Sequence, residues 1–231
     1  MEPQYVSFVI SLFALLVAAY GIYERRSAAA RVERVRLSAI TDDLEKLKLE
    51  LIAEAESVGD RVEALHSRME LLAQQGLSLL REHGVHANST ECRSLAYLLD
   101  EISYTDDANE VWVDAVKQSW SEGNIQILYA TRGYSYYLFR HGRQDEARQR
   151  LNSATNRIPP TDDVGRLLLA ETFSSWAYWE ARMFQPDRGV VNNLLERIRT
   201  LANECESPRK KEQIEKLCFD LPGDSSLDEH D

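Results

Sequence analysis

The sequence predicts an all-α protein, and three observations carry the prediction. No segment alternates apolar and polar residues between turn signals, as a half-buried strand would. Residues 24–82 contain no proline and only two glycines, and strong helix formers dominate them. Residues 90–218 consist of short helical segments separated by capping and turn residues. We expect an N-terminal transmembrane helix, a long coiled-coil-like helix and a C-terminal domain of antiparallel helical hairpins.

Residues 1–23 form the apolar start of the chain. No charged residue occurs from Tyr5 to Tyr23, and a helix of that length covers about 28 Å, roughly one hydrocarbon thickness. A cleaved signal peptide would begin with a basic region, whereas this segment begins "MEPQ" and lacks a clear A-x-A cleavage site. A buried core helix is disfavoured because long uncharged runs are uncommon in soluble cores. We interpret residues 1–23 as a membrane anchor.

A basic collar follows the anchor. It comprises Arg25, Arg26, Arg31, Arg34 and Arg36. Positive residues flank the cytoplasmic ends of membrane helices, so we expect a single-pass protein of the plasma or inner membrane, with its N-terminus outside and its C-terminal domain in the cytoplasm. The collar could also attract anionic lipid headgroups of the bilayer. The three cysteines are too sparse for a disulfide scaffold and fit a reducing cytoplasm.

A heptad seam runs through the segment 24–82. Its apolar residues recur in steps of three and four: Leu37, Ile40, Leu44, Leu47, Leu51, Ala55, Val58, Val62, Leu65, Met69 and Leu72. One stutter interrupts the repeat between Leu51 and Ala55. The pattern favours a parallel coiled-coil stalk of about 60 Å that makes the protein a homo-oligomer. The alternative is an amphipathic helix whose stripe packs on the chain's own C-terminal domain.

Residues 128–161 contain a pattern of small, turn and core residues: Ser135, Gly142, Asp145, Glu146, Ala147, Leu151, Ala154 and Pro159. At these positions the segment resembles a tetratricopeptide (TPR) repeat. Thr131, Tyr134 and Leu138 depart from the residues that the family prefers. The neighbouring segments, about 92–122 and 162–200, are weaker matches, and the second keeps the hairpin length without the motif. The resemblance implies a TPR-like domain over residues 90–218, with a concave surface that binds peptides or protein termini and carries no chemistry of its own.

The TPR-like domain has several candidate partner-binding residues. They are Tyr129, Arg132, Tyr136, Arg140, Trp176 and Trp179. The alternative for the aromatic residues is that they belong to the core, because aromatics at helical spacing usually do. The alternative for the arginines is a solvated face with no partner.

Signals of catalysis or metal binding are weak. "FRHGR" at residues 139–143 resembles the Arg-His-Gly signature of histidine phosphatases but lacks that family's preceding strand and second histidine. His83, His86 and Cys92 lack a fourth ligand at a recognisable spacing. We therefore expect no enzyme activity, no metal and no cofactor. The net charge of −11 argues against a nucleic-acid partner.

The functional expectation combines these parts. We expect a membrane-anchored adaptor or scaffold whose cytoplasmic TPR-like domain binds an unknown protein partner. The alternative is a sensory or regulatory subunit of a membrane complex. Residues 219–231 are acidic and poor in large apolar groups, which predicts a disordered tail.

Overall fold

The computed structural model describes residues 3–53, 60–81 and 85–219. No strand occurs among these residues, so the predicted all-α class is confirmed. The helices are α1 (Pro3–Ala53), α2 (Asp60–Arg81), α3 (Ser89–Glu101), α4 (Thr105–Glu122), α5 (Asn124–Arg140), α6 (Gln144–Thr155), α7 (Asp163–Ala181), α8 (Arg188–Glu204) and α9 (Pro208–Phe219). Residues 220–231, nearly all of the predicted acidic tail, lie outside the described part. The chain divides into two compact units, Met1–Ala87 and Asn88–Asp231.

The first unit contains the predicted anchor. Its helix α1 runs from Pro3 to Ala53, so the basic collar lies within one helix. Among the residues that the structure describes, no helix combines the length and apolarity that crossing a membrane requires. Most side chains of the predicted anchor, including those of residues 1–14, lie outside that part of the chain.

The segment 24–82, predicted as a stalk, contains parts of two described helices that pack on each other. Helix α1 contacts α2, which a single straight rod over residues 24–82 would not allow. The seam is buried on both helices, for example at Leu44 and Met69. A stripe at heptad spacing shows that a helix needs a partner, but it does not distinguish a second chain from the next helix. Within this unit the partner is the next helix.

The second unit consists of three successive helical hairpins and a last helix. The hairpins are α3 with α4, α5 with α6, and α7 with α8. The first helix of each hairpin also contacts the first helix of the next, so α3, α5 and α7 form one layer. Turn and cap residues explain the breaks between helices. Gly142 has a positive φ of 72° between α5 and α6, and Asp162 caps α7 by accepting from the Gly165 amide at 2.7 Å.

The middle hairpin is held by small and large residues that alternate across its core. Ala147 and Leu151 of α6 are buried against α5, where Ser135 donates a hydrogen bond of 3.4 Å to the carbonyl of Ala147. These positions are among those that the sequence matches to the TPR motif. Tyr134 and Leu138, where the motif is not kept, are buried as well. Tyr134 and Leu138 therefore fill core positions with side chains other than those that the TPR motif prefers.

Helix α9 is fastened to the start of α7. The Asp163 carboxylate accepts hydrogen bonds from the backbone amides of Glu206, at 3.1 Å, and Ser207, at 2.8 Å. These two donors hold the pKa of Asp163 below its usual range, because they stabilise the charged carboxylate. At the other end of α9, the Ser174 hydroxyl donates to the Leu217 carbonyl at 3.2 Å. Helix α9 thus covers one end of the row of three hairpins by packing on α7 and α8.

Candidate functional site

Four aromatic rings from the layer α3, α5 and α7 form a continuous ladder. Tyr97 stacks on Tyr136 with 6.2 Å between ring centroids. Tyr136 meets Trp179 edge to face at 4.3 Å, and Trp179 meets Tyr178 at 5.1 Å. None of the four residues is fully buried. We call this set the aromatic ladder, and it offers apolar ring surface together with tyrosine hydroxyl groups.

Arginines lie over the tyrosines of this layer. The guanidinium carbon of Arg140 is 5.6 Å from the centroid of Tyr136, and that of Arg182 is 4.0 Å from the centroid of Tyr178. Beside the ladder, Arg132 lies 5.0 Å from the centroid of Tyr129. Cations at these distances are attracted to the ring face. The ladder therefore has a cationic border made by arginines of α5 and by Arg182, the C-cap of α7.

Carboxylates fix two of these arginines. A guanidinium nitrogen of Arg140 lies 3.0 Å from Asp100 and 2.6 Å from Glu101, and one of Arg132 lies 3.7 Å from Glu171. Burial alone would lower the pKa of Arg140, but the hydrogen bond that Arg140 donates to Glu101 and the charge of Asp100 raise it above its ordinary value. The Asp100 side chain is only 3% exposed, so its position is set by the fold. Arg132 and Arg140 are thus held in place by carboxylates of the same unit.

Two tyrosines of the ladder, Tyr97 and Tyr136, have raised pKa values and stay neutral well above physiological pH. Burial, together with the charge of Glu101, raises the pKa of Tyr97 to about 12. Burial also raises the pKa of Tyr136, against the opposing effect of the Arg140 charge. Both phenols therefore keep their hydrogen at physiological pH.

The "FRHGR" segment serves contacts between helices. His141 ends α5, and its Nε2 lies 2.7 Å from Oδ1 of the buried Asp100 in α3. Its ring lies 4.4 Å from that of Tyr137. Arg143 donates to Asn109 of α4 at 2.8 Å and also pairs with Glu146. The histidine and both arginines of this segment thus have carboxylate or amide partners within the unit.

Five of the six sequence-predicted binding residues lie in this region, and one does not. Tyr129, Arg132, Tyr136 and Arg140 follow one another along one stripe of α5, and Trp179 faces them from α7.

Trp176 is corrected to a core residue. It is only 4% exposed, and its indole nitrogen donates to the buried Glu180 at 3.4 Å. A partner could reach it only if α7 moved.

Sequence reasoning missed the contributions of α3 and the end of α7. Arg93, Tyr97 and Glu101 recur every four residues along α3, a spacing that puts them on one face. That spacing could have indicated a second stripe like the one on α5. Tyr178 of α7 and Arg182, the C-cap of that helix, repeat the same four-residue step. The missing information was which stripes face each other.

The other residues to which the sequence analysis gave a candidate function lie outside the aromatic ladder. In the collar, Arg25, Arg31 and Arg36 are exposed and Arg34 is half-buried, while the side chain of Arg26 lies outside the described residues. Of the histidines considered for metal binding, His83 also lies outside them. In the described ranges, no three His, Cys, Asp or Glu residues converge in a way that could hold a metal ion.

Comparison with known proteins gives no match. No family model matches the chain, and neither the curated proteins nor the solved structures contain a significantly similar one. The candidate site therefore rests on its own geometry.

Proposed function

We propose that the protein is a membrane-anchored adaptor whose second unit binds an extended segment of a partner protein across the aromatic ladder. The observation that carries the proposal is the run of three ring contacts that joins four rings of three successive hairpins, from Tyr97 through Tyr136 to Trp179 and Tyr178. Tyrosine, tryptophan and arginine are the residues that most often dominate binding at protein interfaces. The surface contains all three residue types and extends over three helices. Packing within any one hairpin would not require such a surface.

The charges of the border suggest how the surface would select its partner. Arg132 and Arg140 already face carboxylates of the same unit, so a partner gains little from simply being acidic. The binding free energy would come mainly from ring surface removed from water. The arginines and phenols would then accept or reject particular polar groups at fixed positions. We infer a TPR-like mode of binding, in which successive hairpins read successive residues of one extended segment.

The membrane anchor is the second part of the proposal. The uncharged run from Tyr5 to Tyr23 and the arginines that follow it support a single span, with the second unit in the cytoplasm. Self-association through the first unit would then use exposed apolar residues of α1, such as Val32, Val35 and Leu49, because the heptad seam is buried against α2. Sedimentation of the chain in detergent tests it. A homogeneous monomer would remove self-association from the proposal.

Site-specific photo-crosslinking tests the adaptor function. A photoreactive phenylalanine analogue would replace Tyr178 in the full chain in its native membrane, and a matched chain would carry it in place of Trp120. Trp120 is 53% exposed on α4 and takes no part in the ladder. We expect one protein to be linked at position 178, absent from position 120 and lost when Trp179→Ala is added. The same products at both positions would contradict partner binding at the ladder.

A further inference from the structure

The second unit contains a groove that shares no lining residue with the aromatic ladder. It has a volume of about 400 Å³ and lies between the end of α6, the loop after it, and helices α7 and α8. Its lining is largely apolar, with Ile158, Pro159, Leu169, Phe173 and Leu201. We call it the α6–α8 groove. Its volume falls in the range of known ligand sites.

One cation of this groove lacks a negative partner. Arg197 is half-buried, and its guanidinium carbon lies 3.9 Å from the centroid of the Phe173 ring. No hydrogen bond or ion pair joins it to another residue within the part of the chain that the structure describes. Burial lowers the pKa of Arg197. The pKa of Arg140 and that of Arg148 move the opposite way, because each lies against carboxylates.

The charge at the other end of the groove has the opposite sign. Glu204 lines the same groove two turns further along α8, about 10 Å from Arg197 at helical rise. Its carboxylate lies 3.9 Å from the Arg166 guanidinium, and its side chain is 49% exposed. An acidic group of a ligand would be attracted at the Arg197 end, where no carboxylate of the described residues faces the cation, and not at the Glu204 end, where the lining charge is negative and already faces Arg166. The two ends of the groove therefore differ in charge, so a ligand with one acidic group would bind in one orientation.

We propose that the α6–α8 groove binds a protein segment in which an acidic side chain adjoins a large apolar one. The carboxylate would pair with Arg197, as a fork of two hydrogen bonds that the guanidinium is shaped to donate. The apolar side chain would lie against the exposed rings of Pro159 and Pro160, over the buried Ile158. A partly desolvated cation without a counter-charge is costly, and an incoming carboxylate would relieve that cost. The occupant is identified by this complementarity of charge.

The test uses two peptides that differ only in the charged group. They are acetyl-Asp-Leu-(4-fluorophenylalanine)-amide and its Asn counterpart, titrated against the full chain in detergent and followed by fluorine NMR. We expect the Asp peptide to bind at least tenfold more tightly than the Asn peptide. The preference should disappear in Arg197→Gln, shrink in Arg197→Lys and persist in Arg199→Gln, which removes an exposed arginine of the same helix. Circular dichroism checks that each variant keeps its helix content.

Two outcomes would overturn the proposal. The first is equal affinity of the two peptides for the unmodified chain, or a preference that survives Arg197→Gln. The second is binding only after residues 220–231 are removed, because the chain's own acidic segment would then be the occupant. Trp179→Ala serves as a further control, since it removes a ladder ring and should leave this binding unchanged. Failure here is therefore distinguishable from failure of the proposed adaptor function.

Discussion

Tyr136 of α5 and Trp179 of α7 meet edge to face with 4.3 Å between their ring centroids. This contact joins the second hairpin to the third, and the stack of Tyr97 on Tyr136 joins the second to the first. Neither Tyr136 nor Trp179 is fully buried, so ring surface remains for a partner. The centre of the ladder is thus the place where loss of one ring should matter most for binding.

Trp179→Ala is expected to weaken partner binding by tenfold or more, because central aromatic residues are the usual hot spots of an interface. The melting temperature should fall by less than in a core substitution, since the ring is only half-buried. Titration with the segment identified by crosslinking measures the affinity. Trp120→Ala is the control, because it removes an exposed tryptophan from α4. Equal losses in the two variants would point to a general effect on the unit.

The α5 stripe could be predicted from the sequence, whereas its completion by α3 and α7 could not. The steps from Tyr129 to Arg132, Tyr136 and Arg140 put four residues on one face of any helix. Whether that face meets Trp176 or Trp179 depends on how α7 is rotated against α5. The rotation is fixed by packing and by the buried Glu180, which holds Trp176 in the core. Local periodicity contains no information on that angle.

The first unit shows the same limit. Heptad spacing identified Leu37, Leu44 and Met69 as seam residues, and all three are buried. The spacing could not reveal that the two parts of the seam face each other as α1 and α2. What decides this is the packing of α1, which ends at Ala53, on α2, which begins at Asp60. The sequence signal there was only a stutter, which a continuous coiled coil also tolerates.

Gly133→Ala is expected to destabilise the second unit by about 1–3 kcal/mol, as overpacking of a core does. A Cβ at Gly133 would lie 2.5 Å from Cη2 and 2.7 Å from Cζ3 of Trp112, which is only 3% exposed on α4. Denaturant unfolding followed by circular dichroism measures the change. Trp112→Phe removes the ring atoms that clash, so the double variant should cost less than the sum of the two single ones. Strict additivity would show that the alanine is accommodated elsewhere.

Tyr97 should be among the last tyrosines to ionise. Its pKa is raised to about 12, mainly by burial, from the 10.0 of a free phenol. A raised pKa in the folded state means that the neutral form stabilises the fold. This contribution is complete below pH 10.0 and is lost as the pH rises towards about 12.

Absorbance of tyrosinate against pH, recorded for the full chain and for Tyr97→Phe, checks this. The variant should lack one late-titrating group and should lose less stability over the same alkaline range. Tyr136→Phe offers a matched comparison, because burial raises that pKa as well. An unchanged late titration in Tyr97→Phe would contradict the assignment.

Removing Arg148 should destabilise the fold strongly, because it leaves the Glu180 carboxylate buried without its cation. Glu180 is fully buried, and both its oxygens face the Arg148 guanidinium, with Nε at 3.1 Å from Oε2. Breaking such a pair costs about 3–5 kcal/mol. We expect Arg148→Met to lose stability near the lower end of this range, because the arginine side chain is 25% exposed and water can reach it. Denaturant unfolding measures the loss.

The matched control removes a carboxylate that the same arginine meets in solvent. Asp145 lies 3.2 Å from Arg148 but is 99% exposed, so Asp145→Asn should change the stability by less than about 1 kcal/mol. In the double variant Arg148→Met with Glu180→Leu, no charge stays buried, and much of the lost stability should return. If the double variant were as unstable as Arg148→Met alone, the cost would come from lost packing of the arginine stem between α6 and α7. The pair would then be a spacer between hairpins rather than an electrostatic link.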